Sequence, residues 1–147
     1  MLRNAITVGC LIIRLTAKVA GSMRRNRGGA GACIASACDF RIGADDARVG
    51  YGEVKLGINL MWNALPLCVH LIGPARAKQM VMTGKLFDAA TLERWGFFDA
   101  LAPASELSTV ARSWAETYAA LPPLAVQMIK RSINQVSGAL DRAAHQR

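Results

Sequence analysis

The apolar residues of this 147-residue chain change their spacing near residue 61, and this change restricts the folds open to it. Upstream, short apolar runs alternate with glycines and acidic turns, and they predict strands at 39–43 and 48–51 beside a buried helix at 32–38. Downstream, apolar residues recur every three or four positions, which is the spacing of amphipathic helices. Strands and helices first, then helices alone, predict an α/β layer followed by a helical region.

Residues that start or stop a helix mark the boundaries of the downstream helices. Pro74 and Gly84 bound one predicted helix, and Asp88 and Gly96 bound the next. Two longer apolar stripes follow, one on either side of Pro122-Pro123. The first consists of Leu107, Val110, Ala111, Trp114, Tyr118 and Leu121, and the second of Val126, Ile129, Ile133, Val136 and Leu140. These stripes hold more apolar surface than such a chain can bury, so we predict that the C-terminal helices self-associate.

The net charge of +8 is concentrated near the N-terminal end. No Asp or Glu precedes Asp39, whereas that stretch holds six basic residues, among them Arg24, Arg25 and Arg27. Clustered arginines raise nucleic-acid binding as a function class, but this cluster lacks interleaved aromatic residues and any recognisable module. We therefore predict a divergent basic leader over residues 1–27 and no nucleic-acid partner.

The four cysteines, Cys10, Cys33, Cys38 and Cys68, form neither a CxxC pair nor a zinc-binding pattern. Cys33 and Cys38 lie in an alanine-rich run with the composition of a buried segment. We interpret all four as reduced thiols of a cytoplasmic protein. No apolar run reaches the length of a transmembrane helix, so the sequence predicts no membrane partner. Because the cysteine spacings match no zinc-binding pattern, it also predicts no metal site.

Two features upstream of residue 61 have the chemistry of a catalytic site. The turn Gly28-Gly29-Ala30-Gly31 opens the predicted helix, and its unpaired amides could hold a phosphate or an oxyanion. A tight turn beside a packed helix explains the same residues equally well. Glu53 follows Gly50-Tyr51-Gly52, where a partly buried carboxylate can act as a general acid or base. A salt bridge from Glu53 to Lys55 or to a neighbouring arginine is the structural alternative.

Several segments keep one order and spacing along the chain. They are the run from Ala35 to Arg48, Glu53-Val54-Lys55-Leu56-Gly57-Ile58, the run from Leu71 to Lys78, the run from Thr83 to Ala89, Trp95-Gly96-Phe97 and Leu121-Pro122-Pro123. Together they resemble the crotonase (enoyl-CoA hydratase/isomerase) superfamily over roughly residues 28 to 145. The chain is therefore identified as a truncated member, with residues 28–103 as the C-terminal part of the core. Residues 104–147 are then a helical oligomerisation region whose final helix is missing.

The resemblance implies a fold and a chemistry. It implies a partial spiral of ββα turns with a C-terminal helical trimerisation region, and hence a homo-oligomer, a trimer or a dimer of trimers. Family members bind acyl-CoA, and two backbone amides hold the thioester oxygen as an enolate forms. Nearby carboxylates move protons. Coenzyme A is part of the substrate, and no separate cofactor is implied.

Carried over residue by residue, the resemblance gives Ala30 the role of an oxyanion amide, with Gly29 and Gly31 as substrate-binding neighbours. Glu53 matches the second glutamate of the hydratases in the family, whereas the first falls at Cys33, which is not an acid. Trp62, a further substrate-binding candidate, stands where the family often has Pro-Gly-Ala-Gly-Gly.

One acid of a hydratase pair is thus left. Because general acid–base help is worth about 10²–10⁴-fold, the resemblance implies an enoyl-CoA hydratase or isomerase lineage in which water addition is impaired. The alternative is a non-catalytic fragment or pseudoenzyme that only packs with other subunits.

Overall fold

A computed structural model of the chain describes residues 12–14 and 30–144, and the side chains of residues 30–138. Its internal contacts divide the described chain into one unit over Ile12–Ala111 and a second that begins at Arg112. The elements in chain order are β1 (Ile12–Arg14), α1 (Ala30–Ser36), β2 (Phe40–Ala44), β3 (Arg48–Val49), a 3₁₀ turn (Glu53–Leu56), α2 (Ala64–Ile72), α3 (Pro74–Thr83), β4 (Phe87–Asp88), α4 (Ala89–Trp95), β5 (Ala100–Ala102), α5 (Leu107–Ala119) and α6 (Pro123–Ala144). The predicted α/β layer followed by helices is confirmed.

A short parallel sheet in the order β1–β2–β5 forms the centre of the first unit. Ile12 is in register with Phe40, and Ile42 is in register with Ala100. Residues 41–44 of the middle strand are all buried, as expected for a parallel strand covered on both faces. The strand predicted at 39–43 is confirmed with its end one residue later. The first strand lies inside the predicted leader of residues 1–27, whose remaining residues lie outside the described chain.

A buried arginine ties this middle strand to the end of the first unit. The Arg41 guanidinium donates to the Phe97 carbonyl over 2.6 Å, to the Cys38 carbonyl over 2.7 Å and to Asp99 Oδ2 over 3.1 Å. The Arg41 backbone N–H also donates to Asp99 Oδ2, over 2.7 Å. Each of the three guanidinium nitrogens of Arg41 thus donates to an acceptor. A buried cation is tolerated when its donors are satisfied in this way.

A second, antiparallel pair is made by β3 and β4, with Val49 opposite Phe87. The strand predicted over Arg48–Tyr51 is therefore shorter than expected. Gly50 ends it because the chain runs against the loop before β4: a Cβ at Gly50 would lie 2.2 Å from the Lys85 carbonyl oxygen. Only a residue without a side chain fits that approach.

The helix boundaries inside the first unit follow the predicted signals. Pro74 opens α3, and Gly84 ends it with a φ of 59°. Asp88 caps α4 by accepting a hydrogen bond from the Thr91 N–H over 2.8 Å, and Gly96 ends α4 with a φ of 86°. The predicted C-terminal ends of α3 and α4 are thus confirmed, and at each of them a glycine adopts left-handed backbone. The helix predicted at 32–38 begins two residues earlier, at Ala30.

The second unit consists of the rest of α5 and of α6. None of the described side chains from residue 112 to residue 138 is buried. The second stripe is strongly exposed, with Ile129 at 59%, Ile133 at 61% and Val136 at 68%. Both stripes therefore fall on helices as predicted, except for Leu121, which follows the end of α5. Self-association through them stays a prediction. None of the helices in the described residues is both long and apolar enough to span a bilayer.

Candidate functional site

The predicted oxyanion turn leads directly into α1. Ala30 is the first residue of this helix and Gly31 the second, whereas Gly29 lies outside the described residues. Amides in the first turn of a helix have no acceptor within the helix, so the Ala30 and Gly31 N–H groups have the character that the sequence predicted. Ala32 and Ala35, on the opposite side of the helix, are fully buried, because alanine lets the helix sit close to its neighbours.

Glu53 opens a 3₁₀ turn that the sequence did not predict. The turn is closed by the Lys55 N–H donating to the Gly52 carbonyl over 3.0 Å and the Gly57 N–H donating to the Val54 carbonyl over 3.1 Å. Gly57 then reverses the chain with a φ of 73°. The glutamate side chain is held at the start of this turn and is half-buried.

One carboxylate oxygen of Glu53 is buried and has no hydrogen-bond partner in the described part of the chain. A buried acceptor left unsatisfied costs about 1–3 kcal/mol, and more when it is charged. The alternative interpretation, a salt bridge to Lys55 or a nearby arginine, does not account for this oxygen. A proton or a ligand group that donates a hydrogen bond would remove the cost.

Cys33 lies on α1 within electrostatic reach of this carboxylate. Burial, and to a smaller extent the negative charge of Glu53, raise the pKa of the Cys33 thiol to about 11. The thiol is therefore neutral near pH 7. The two positions that the resemblance pairs thus influence each other electrostatically, and the one on α1 holds an uncharged thiol.

Tyr51 is a buried residue of this site that sequence analysis missed. It is fully buried, and its hydroxyl lies 2.5 Å from Ser36 Oγ at the end of α1. Cys68 on α2 interacts with the same hydroxyl. Its position two residues before Glu53 is the signal that could have identified Tyr51 from sequence. A tyrosine that is buried there normally needs a hydrogen-bond partner for its hydroxyl.

Trp62 stands in a loop with unusual backbone geometry. Its φ is 58° and that of Asn63 is 54°, and the Trp62 side chain is 65% exposed. A bulky residue with positive φ is a genuine outlier, of the kind that costs about 1–3 kcal/mol and clusters at ligand sites. The predicted substrate-binding role of Trp62 stays a prediction.

Cys33, Cys38 and Cys68 are buried, and no disulfide joins them within the described residues. Cys10, the fourth cysteine of the prediction, lies outside those residues. Over the described residues, no three His, Cys, Asp or Glu side chains come together in a way that could hold a metal ion.

Comparison with known proteins gives a consistent result. The profile of the family described as enoyl-CoA hydratase/isomerase matches residues 11–147, which begins ahead of Gly28, where the sequence motifs start. A probable enoyl-CoA hydratase, echA8, of Mycobacterium tuberculosis is 36% identical over 107 residues, which are 73% of this chain and 42% of that protein. The (E)-benzylidenesuccinyl-CoA hydratase of Thauera aromatica is 36% identical over 104 residues, 71% of this chain and 41% of that protein.

Solved structures agree with the sequence relatives. An enoyl-CoA hydratase from Bacillus anthracis superposes with a TM-score of 0.71 at 29% identity, over 80% of this chain and 48% of that one. A Mycobacterium paratuberculosis enoyl-CoA hydratase, EchA16_2, superposes with a TM-score of 0.75 at 23% identity, which shows a shared fold. The chain spans about two fifths of the length of the curated relatives it matches.

Proposed function

The chain belongs to the enoyl-CoA hydratase/isomerase family, and on that basis we propose that it acts on acyl-CoA thioesters through an enolate, with water addition impaired. The observation that carries this proposal is the buried, unpartnered Glu53 oxygen beside the neutral Cys33 thiol. The site therefore offers one proton acceptor, whereas addition of water requires two acid–base groups.

Glu53 is the group we assign to proton transfer. Its exposed part can meet a substrate, and no donor among the described residues competes for its buried oxygen with a substrate proton. General-base catalysis needs such an acceptor within hydrogen-bond reach of the proton that it removes. Removal of a proton next to the thioester carbonyl places negative charge on the carbonyl oxygen.

Ala30 is the residue we assign to that developing charge, through its backbone N–H. The neighbouring Gly31 lets the substrate approach the helix start closely. A single donor of this kind is worth about 10²–10³ in rate when it is aimed at the oxyanion. Trp62 is assigned to substrate contact on the evidence of its exposure and its positive φ.

Cys33 explains why water addition is impaired in this account. A thiol whose pKa is about 11 stays protonated at neutral pH and cannot serve as the second base. Loss of one acid–base partner lowers the rate by about 10²–10⁴-fold.

The experiment is hydration of crotonyl-CoA, followed by loss of the enoyl absorbance. We expect a very low rate for the wild-type chain and none for Glu53→Gln, which keeps the shape of the side chain. Glu93→Gln, an exposed change on α4, is the matched control and should retain the wild-type rate. Full activity in Glu53→Gln would show that Glu53 is structural and that the assigned site is wrong.

A second candidate is a non-catalytic subunit that packs with other subunits. The observation that favours it is the exposed apolar face of α6, which the described residues do not cover. On this proposal the homo-oligomer, a trimer or a dimer of trimers, forms through the C-terminal helices. An oligomer with no Glu53-dependent chemistry on any acyl-CoA would support this candidate over the enzyme.

A further inference from the structure

We propose that Tyr51 is a positioning residue that sets the separation between Glu53 and the α1 residue Cys33. The inference rests on the proposed function only for the statement that Glu53 moves a proton; the positioning itself concerns this chain's own side chains. Tyr51 is the point at which three elements of the site meet: α1, the segment that leads into the 3₁₀ turn, and α2.

The hydroxyl groups form a directed chain of hydrogen bonds. Ser36 Oγ donates to the Ala32 carbonyl over 2.8 Å. A serine hydroxyl has one hydrogen, so that hydrogen is committed to Ala32. Tyr51 must then donate its single hydrogen to Ser36 Oγ across the 2.5 Å contact. Each of these two hydroxyl hydrogens has one acceptor, which fixes the rotamers of Ser36 and Tyr51.

Burial makes this arrangement hard to replace. Tyr51 and Cys68 are fully buried and Ser36 is 4% exposed, so water cannot substitute for a lost partner. Burial also raises the pKa of Tyr51, which keeps its hydroxyl protonated and able to donate. The chain of bonds is therefore stable across the pH range in which the protein would work.

The connection to the site is short on both sides. Ser36 is one helical turn from Cys33 on α1, and Tyr51 is two residues from Glu53 across Gly52. Gly50 packs this segment against the loop before β4, whereas the Tyr51 hydroxyl makes its hydrogen bond to α1. Without it, the Glu53 carboxylate and the Cys33 thiol lose their fixed separation.

The test uses the Cys33 thiol as a probe of the Glu53 charge. The rate of alkylation by iodoacetamide follows the thiolate fraction, and the Glu53 charge opposes the thiolate. The rate at Cys33 is measured by peptide mass spectrometry at pH 8 in four chains: wild type, Glu53→Gln, Tyr51→Phe and the double variant. We expect Glu53→Gln to accelerate alkylation several-fold in the wild-type background and by a factor near one in the Tyr51→Phe background.

The alkylation rate at Cys38 separates positioning from a merely structural role. Loosening of the fold by Tyr51→Phe would also bring the ratio toward one, because Glu53 does not act on Cys33 in an opened chain, but it would at the same time accelerate alkylation of Cys38, a second buried thiol. Loss of coupling at Cys33 with an unchanged rate at Cys38 is the signature of positioning. Ser36→Ala breaks the same contact from α1 and should reproduce the loss of coupling, so a poorly folded Tyr51 variant does not leave the matter open. Tyr118→Phe, which alters the other tyrosine of the chain, should preserve the wild-type ratio.

Two results would overturn the inference. One is an equal several-fold ratio in the wild-type, Tyr51→Phe and Ser36→Ala backgrounds. The other is a ratio of one in the wild-type background, which would mean that Glu53 does not act on Cys33 at all. Failure of the proposed function would be recognised differently. Acyl-CoA chemistry that does not depend on Glu53 would refute that function, but the alkylation ratios would still be the expected ones.

Discussion

The residues of the candidate site differ in how far the sequence could predict them. Glu53 was predictable because a carboxylate after a glycine-rich segment stands in a recognisable motif. The burial of Cys33 was predictable from the alanines around it. Tyr51 was not, because its role depends on Ser36 and Cys68, which lie 15 and 17 positions away and meet it only through the packing of α1 and α2.

Gly50 gives the sharpest test at the scale of one residue. Gly50→Ala places a methyl group 2.2 Å from the Lys85 carbonyl oxygen, which is backbone and cannot rotate away. Overpacking of this kind costs about 1–3 kcal/mol, and we expect a lower urea midpoint for the variant.

The matched control for this change is Gly138→Ala on α6, where an added Cβ meets nothing within 4 Å. Alanine in a helix is favoured over glycine by up to about 1 kcal/mol, so this variant should be at least as stable as the wild type. A Gly50→Ala chain with the wild-type midpoint would show that the approach of the two loops is looser than described.

At the scale of elements, the sequence predicted helix ends better than it predicted the connections between them. Gly84, Asp88 and Gly96 act locally, through left-handed backbone or a side-chain cap, so their effect can be read from sequence. The sequence did not predict the 3₁₀ turn at Glu53, because the residues of such a short turn have only a weak preference for it. Gly57, which closes the turn, lies four positions after Glu53. The positive φ of Trp62 has no sequence signal, since a bulky side chain disfavours that conformation, whereas Asn63 belongs to a residue type that adopts it more readily.

The cap of α4 predicts a pH dependence of stability. The Thr91 N–H and hydroxyl both donate to the Asp88 carboxylate, and they hold its pKa below its usual value of about 3.9. A depressed folded-state pKa contributes stability that is present above the unfolded value and is lost as the pH falls through the folded value. Asp88→Ala should therefore be less stable than wild type at pH 7, with a gap that narrows below about pH 4.

The control for this prediction is Asp88→Asn, which keeps an acceptor for the Thr91 N–H but does not titrate. Its urea midpoint should stay closer to wild type at pH 7 than that of Asp88→Ala. A gap between wild type and Asp88→Ala that is constant from pH 7 to pH 3 would contradict the proposed origin of the cap's stability.

At the scale of the whole molecule, the ordered motifs identified the family, because several short segments in one order are far more specific than any of them alone. The arrangement of subunits could not be predicted in the same way. An amphipathic stripe shows that a helix face is apolar but does not show what covers it. The side chains of residues 112–138 remain unburied, so the partner of that face is still to be found.

We expect the C-terminal helices to drive self-association. Light scattering at high micromolar concentration should give a mass well above that of one chain, and Ile133→Glu should lower it by placing a charge on the exposed apolar face of α6. Met82→Glu changes an equally exposed apolar side chain on α3 and should leave the mass unchanged. A clean wild-type monomer at that concentration would contradict the prediction.

The central claim is that Glu53 moves a proton of an acyl-CoA thioester, and exchange at the carbon next to the thioester tests it most directly. Butyryl-CoA in D₂O, followed by proton NMR, reports enolate formation without requiring water addition. The account predicts slow loss of the signal from that carbon with the wild-type chain, and loss at the background rate with Glu53→Gln. Equal exchange with the two chains, whether fast or at background, would contradict it.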